Sequence, residues 1–214
     1  MGRRFEPDGA YMNKRQELGA RSRTSILDAA LRLMSESGYD GASVAKISQA
    51  SGLPASSIYW HFGSKAGILA AVMERGANAF FSTADNESQP SLEGLSPRES
   101  LRARFQQARR SAEEHPEFLR LLFLLILADP RDETIVGILK RVNDRGRDLL
   151  HTQIREAFAD RSEEASTAIA DRLTIVALAV FNGAFLTVET NPEVSLADLI
   201  DAMAEIVVAL ADAA

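Results

Sequence analysis

The chain of 214 residues contains no cysteine. That excludes a disulfide framework, a thiolate nucleophile and a thiolate metal site, and it agrees with a reducing compartment. Histidine is nearly as scarce. The three, His61, His115 and His151, lie far apart in sequence, and nothing in their spacing marks a metal site. There is no phosphate-binding glycine loop, no dinucleotide glycine fingerprint and no His-Glu-x-x-His helix. Adjacent acids such as Glu113-Glu114 and Glu163-Glu164 read as a solvated face and a helix N-terminal charge bias. No stretch alternates apolar and polar residues, so strands have no signal. The most apolar runs, Phe118–Leu127 and Leu173–Val188, carry Arg120 and Asn182 and fall short of a membrane span. They read as buried helices. No apolar stretch follows the first arginines, so no secretory signal is expected. Glu6 stands where N-myristoylation requires Ser or Thr. The expectation is a cytoplasmic, non-enzymatic protein with no metal, no cofactor and no membrane association.

What is present is a chain that can bury a sizeable core. Hydrophobic residues make up 46% and charged residues 25%, as in ordinary globular proteins. The net charge of −6 argues against a general polyanion binder, but the charge is unevenly spread. Up to Lys65 the basic residues number nine and the acidic six, about +3, which leaves about −9 for the remainder. A basic head on an acidic body would orient itself on a polyanion in a salt-sensitive way.

Apolar residues recur at helical spacing throughout. Residues 1–20 are polar and aperiodic and read as a mobile arm or plain tail, whose arginines could reach a minor groove. Helix 1 is expected to begin near Ser22 or Thr24, to bury Ile26, Ala30 and Leu33 with Leu27 and Met34, and to end at Gly38. Ser43 is an N-cap for helix 2 and Ser64 for helix 4, whose stripe runs through Leu69, Val72, Met73 and Phe80. Residues 84–96 form a polar connector. Ser96-Pro97-Arg98-Glu99 is a capping box that opens helix 5, with Leu101, Phe105, Ala108 and Ala112 inward. His115-Pro116 starts helix 6, apolar nearly all round and therefore central. Asp129-Pro130 restarts the chain as helix 7, with a stripe from Ile135 through Leu139, Val142, Leu149 and Ile154 to Phe158. Helix 8 spans 162–190 and stops at Asn191-Pro192. Ser195 caps helix 9, whose stripe is Leu196, Leu199, Met203, Ile206 and Leu210. The last two helices carry more apolar surface than one packing face needs, and the expected use is a homodimer interface.

The most informative stretch is Ser43–Phe62, SVAKISQASGLPASSIYWHF. Val44, Ile47 and Ala50 make one helical face, Gly52 allows a tight reversal, and Ile58 with Phe62 makes a second face, with Leu53 as an anchor in the turn. This is the pattern of a helix-turn-helix whose second helix reads DNA. With Ile58 and Phe62 inward, Ala55, Ser56, Tyr59 and Trp60 project outward, flanked by Ser57 and His61. Hydroxyls and an imidazole can donate to phosphate, and small residues allow close approach.

Ile58-Tyr59-Trp60-His61-Phe62-Gly63-Ser64-Lys65, preceded by Ala45-Lys46-Ile47-Ser48-Gln49-Ala50-Ser51-Gly52-Leu53, resembles the DNA-binding region of the TetR family of transcriptional regulators. The resemblance runs from about Ser22 to Met73. It implies an all-α fold of about nine helices: an arm over 1–20, a homeodomain-like three-helix head over 21–67, and an effector-binding and dimerisation body over 68–214. It implies a ligand-responsive regulator, a repressor on a palindromic double-stranded operator. The matching DNA-contact positions are Ser43, Ala55, Ser56, Ser57, Tyr59, Trp60, His61 and Lys65. Tyr59, His61 and Lys65 would hold phosphates, and Ser56, Ser57 and Trp60 would face bases. Ala55 departs from a hydrogen-bonding residue, so readout there would be weak. The resemblance also implies a small-molecule pocket in helices 5 to 8, for which Phe105, His115, Phe118, Phe123, His151, Phe181, Asn182 and Phe185 are candidates; a mostly apolar cavity would suit an apolar or aromatic effector. Two other classes remain open to the residues themselves: a helical adaptor that binds a protein partner, and a small-molecule enzyme on a helical body.

Overall fold

The computed structural model describes residues 9–82, 94–128 and 132–213, with side chains from residue 16 onward. Arg3 and Arg4 of the arm, most of the 84–96 connector and the Asp129-Pro130 restart lie outside the described residues. Those residues form nine α-helices and no strand, as expected: α1 (Gly9–Gly41), α2 (Val44–Ser51), α3 (Ala55–Phe62), α4 (Lys65–Ser82), α5 (Pro97–Glu114), α6 (Pro116–Leu127), α7 (Glu133–Ala157), α8 (Glu163–Thr190) and α9 (Leu196–Asp212).

The chain divides into two compact units, Met1–Arg75 with Arg120–Val136, and Gly76–Leu119 with Gly137–Ala214. In the first, Ile26, Leu27, Ala30 and Met34 of α1 are buried together with Ile47, Ile58, Ile68, Leu69, Val72 and Met73. These are the i, i+3/i+4 faces of four short amphipathic segments, and removal of that apolar area from water is what holds them together. The start of α1 is a correction. The helix begins at Gly9, not near Ser22 or Thr24, so residues 9–20 are helical. The Thr24 hydroxyl donates to the Ala20 carbonyl one turn back at 3.1 Å, a mid-helix bond rather than a cap. The other end behaves as the glycine demands: Gly38 takes φ 73°, which interrupts the helix. In α2 only Ile47 is fully buried; Val44 is half-buried and Ala50 exposed, so the turn rests on fewer contacts than its periodicity suggests.

In the second unit α5 and α8 both pack on α9. The capping box is formed: the Ser96 backbone N–H donates to Glu99 Oε2 at 2.9 Å, and the Glu99 N–H donates to Ser96 Oγ. Ser162 and Ser195 accept from the third helical N–H of α8 and α9. The α9 expectation needs correction. Its core face is Ile200, Met203, Ala204, Val207, Val208 and Ala211, whereas Ile206 and Leu210 are exposed. The helix therefore has two apolar faces, and the periodic stripe mostly traced the outer one. Helix α6, expected to be central, belongs from Arg120 onward to the first unit and leaves Leu127 76% exposed at its C-terminal end. The Leu173–Val188 run proves to be part of a longer helix. By length and composition α8 could cross a membrane, with mean hydropathy 1.7 and 33% of its most apolar window buried. Its Ile169, Leu173, Ala177, Phe181 and Phe185 are buried at helical spacing.

Two features of this unit carry predictions. A Cβ on Gly76 would lie 2.4 Å from Phe118 Cδ2, inside a ring cluster where Phe80 stands 5.7 Å from Phe118 and 6.4 Å from Phe181. Helix propensity favours Ala by roughly 0.5–1 kcal/mol, but overpacking costs about 1–3 kcal/mol, so Gly76→Ala should lower the urea midpoint. Arg102 pairs with both oxygens of Asp201 across α5 and α9, and Gln106 Nε2 donates to Asp201 at 2.6 Å. These donors hold the Asp201 carboxyl below its ordinary range. A depressed pKa means the unfolded chain takes up this proton first on acidification, so the stabilisation is complete above the ordinary carboxylate range, about pH 4, and fades as pH falls below it. Chemical denaturation should show Asp201→Asn less stable than the parent at neutral pH, with the gap closing in acid.

Candidate nucleic-acid interface

The interface is built from two helices of eight residues each and the turn between them. The Ser43 hydroxyl caps α2 by accepting from the Lys46 N–H at 3.2 Å. Gly52 closes α2 in the left-handed region at φ 71°, ψ 13°, where a Cβ would be strained. The turn is locked by side chains as well as by glycine. Ser48 Oγ donates to the Leu53 carbonyl at 2.7 Å, and the Leu53 N–H donates to Ser51 Oγ at 3.4 Å. Pro54 then precedes α3 with extended φ/ψ.

Helix α3 is divided by face. Ile58 has no exposure, whereas Trp60 is 79% and Tyr59 53% exposed. Ser43 and Ser56 are exposed; Ala55, Ser57, His61 and Lys65 are half-buried. Phe62, expected inward, is only half-buried. The rings of the α3 C-terminus contact one another: Trp60 meets His61 edge-on at 4.6 Å, and His61 meets Phe62 at 5.8 Å. Gly63 leaves α3 with φ 71°, and Ser64 Oγ caps α4 by accepting from the Gly67 N–H at 3.0 Å.

Two lysines gather at the end of α1. Lys46 Nζ donates to the Gly41 carbonyl at 2.8 Å. Lys65 Nζ lies 4.2 Å from the centre of the Tyr39 ring and 3.5 Å from the Asp40 carbonyl. These contacts orient both ammonium groups without a carboxylate, so the positive charge is not cancelled. No local spacing marks Tyr39 for this role, because it joins residues of different helices. Its hydroxyl pKa is raised by burial first and then by the carboxylates of Asp132 and Asp40, so it stays neutral at physiological pH.

The residues expected to line an effector pocket are only partly brought together. Phe105, Phe118, Phe181 and Phe185 are buried in the second unit, and Phe118 and Phe181 meet through Phe80. Phe123 is buried but belongs to the first unit. His115 caps the end of α5, and Asn182 is half-buried. His151 points to the surface, with Nε2 at 2.9 Å from Asp171. A groove of about 550 Å³ in the second unit is lined instead by Phe81, Arg141, Asp144, Arg145, Asp148, Leu149 and Thr152. Arg145 lies over Phe81 at 4.8 Å and donates to Asn78 at 2.8 Å. No grouping of three or more potential metal ligands occurs among the described residues.

Residues 26–72 match the sequence profile of bacterial regulatory proteins, tetR family. The chain is 36% identical over 61 residues to the HTH-type transcriptional regulator AcrR of Shigella flexneri, 28% of each chain. It is 39% identical over 51 residues to the tetracycline repressor protein class D of Escherichia coli, 24% of this chain and 23% of that one. The match thus spans about a quarter of these relatives' length. Over the whole fold, the chain resembles a putative transcriptional regulator from Pseudomonas aeruginosa PAO1 with a TM-score of 0.69, at 25% identity over 89% of this chain and 90% of that one. A putative transcriptional regulator from Saccharomonospora viridis, solved in complex with choline, also gives a TM-score of 0.69, at 20% identity over 88% and 96%.

The turn lock yields a prediction. Ser48→Ala should cost about 1 kcal/mol by leaving the Leu53 carbonyl without its donor, read as a lower denaturation midpoint, while Ser56→Ala on the exposed side of α3 should leave stability unchanged.

Proposed function

We propose that this chain, whose first helices carry the helix-turn-helix of the TetR family of bacterial regulatory proteins, is a ligand-responsive transcriptional regulator that binds a palindromic operator as a homodimer. The observation that carries this reading is the division of α3, with Ile58 sealed inside while Trp60 and Tyr59 face solvent. Two large aromatics exposed on so short a helix gain nothing from water, and a major groove accepts such a helix. Tyr59, His61 and Lys65 would hold phosphates. Ser56, Ser57 and Trp60 would face base edges or thymine methyls, Ala55 would allow close approach, and Ser43 with the first amides of α2 would take a further phosphate.

Exposed Ile175 and Leu186 on α8 and Ile206 and Leu210 on α9 support a homodimer through the last two helices. A two-fold body would set half-sites about one helical turn apart. By resemblance to the family, an apolar or aromatic effector would be taken up in the second unit. Its binding would shift a population between DNA-competent and released states, with α4, continuous from one unit into the other, as the link. By resemblance to the family, the regulator would act as a repressor. This role is non-catalytic and cytoplasmic.

The test is binding of the purified full chain to duplex from the region flanking its own coding sequence, and to random duplex, across a salt series. Trp60→Ala should weaken operator binding about tenfold or more, ~1.4 kcal/mol, and random duplex much less. Lys65→Ala should weaken both alike and flatten the log–log salt slope by about 0.9. Salt-independent binding, or equal losses on both duplexes for Trp60→Ala, would count against the reading.

A further inference from the structure

Arg23 belongs to none of the contact positions above. It lies on α1 just before the first core residue, Ile26, and its side chain is exposed. Its guanidinium carbon stands 5.4 Å from the centre of the Phe62 ring. Phe62 ends α3, beside the His61 imidazole. A guanidinium stacked on a ring is held in place through its face, and its in-plane N–H donors stay available. Among the described residues no carboxylate pairs with Arg23, whereas Arg75 of the same unit is paired with Asp28 at 2.8 Å. Arg23 is therefore a positioned, un-neutralised cation at the C-terminal end of the reading helix.

The helix that carries it continues. α1 runs back to Gly9, and residues 9–25 hold Lys14, Arg15, Arg21 and Arg23 against a single acid, Glu17. One turn before Arg23, a Cβ built on Gly19 would meet nothing within 4 Å, so the space beside the helix is open. Positive charge, open space and continuity with the end of α3 fit one occupant, the phosphodiester backbone of the duplex that α3 would enter.

We propose that Arg23, positioned by Phe62, contacts a backbone phosphate outside the major groove, and that the stretch of α1 before Ile26 extends the DNA footprint. The inference rests on the DNA-binding reading above. The bland alternative is a brace, with Arg23 only steadying α1 against α3.

Salt dependence separates the two, because each phosphate contact contributes about 0.9 to the slope of log affinity against log salt. The full-length chain, Arg23→Ala and Arg23→Lys are titrated against flanking-region and random duplex from low to moderate salt, and their thermal midpoints are recorded. Arg23→Ala should bind both duplexes roughly five- to tenfold more weakly at 0.1 M salt, with the slope flattened by about 0.9, while Arg23→Lys keeps most of the slope. If Arg23→Ala proves poorly folded, the lysine variant decides: loss of the slope despite the retained charge overturns the inference. A parent chain that binds while Arg23→Ala keeps the full slope overturns this inference alone. A parent chain that binds no duplex overturns it together with the reading it rests on.

Discussion

Everything at the reading end depends on how one isoleucine is satisfied. Ile58 has no exposed surface. It fixes the rotation of α3, because a helix this short has few other apolar groups to bury. Once Ile58 is inward, the 100° step between residues leaves Tyr59 and Trp60 no place in the core. The orientation of the aromatics is a consequence of burial elsewhere, and the turn that delivers α3 is held by Gly52, Ser48 and Ser51 beside half-buried Leu53. That arrangement explains how so small an element can be positioned accurately. Fully burying a side chain of this size contributes about 1.5–3 kcal/mol, and the turn hydrogen bonds add about 1 kcal/mol each.

Charge is handled differently in the two units. In the second, Arg98, Arg102, Arg104, Arg109, Arg147 and Arg161 each meet a carboxylate. In the first, Arg75 pairs with Asp28, but Lys46 and Lys65 are oriented by carbonyls and Lys65 also by a tyrosine ring, while Arg23 lies over a phenylalanine. Such contacts fix a cation's position without cancelling its charge. A surface that keeps cations placed but un-neutralised is suited to a polyanion, and the acidic remainder of the chain would oppose binding in any other orientation.

Much of this was legible in the residues, because the signals are local. A glycine that must adopt positive φ at 38 and 52, a serine three residues before a free amide at 43, 64, 96 and 195, and isoleucines at helical spacing each act within one or two turns. The illegible parts depend on partners distant in sequence. The outer stripe of α9 is as periodic as its core face, and only packing against α5 and α8 separates them. The early start of α1 was hidden by polar, glycine-containing sequence, since a solvated helix has no apolar period to reveal it. Arg23 over Phe62, Lys65 over Tyr39 and Arg145 over Phe81 all join residues from different helices, and no spacing rule encodes them.

The chain carries one tryptophan, and it is the residue on which the reading turns. Its fluorescence therefore reports a single site. The most direct measurement is acrylamide quenching of Trp60 in the free chain and at saturation with flanking-region duplex. An indole that enters a groove should be strongly quenched by acrylamide when free and shielded when bound, with random duplex shielding it less. Unchanged accessibility at saturation would mean that the duplex binds elsewhere, and would contradict the assignment of α3 as the reading helix.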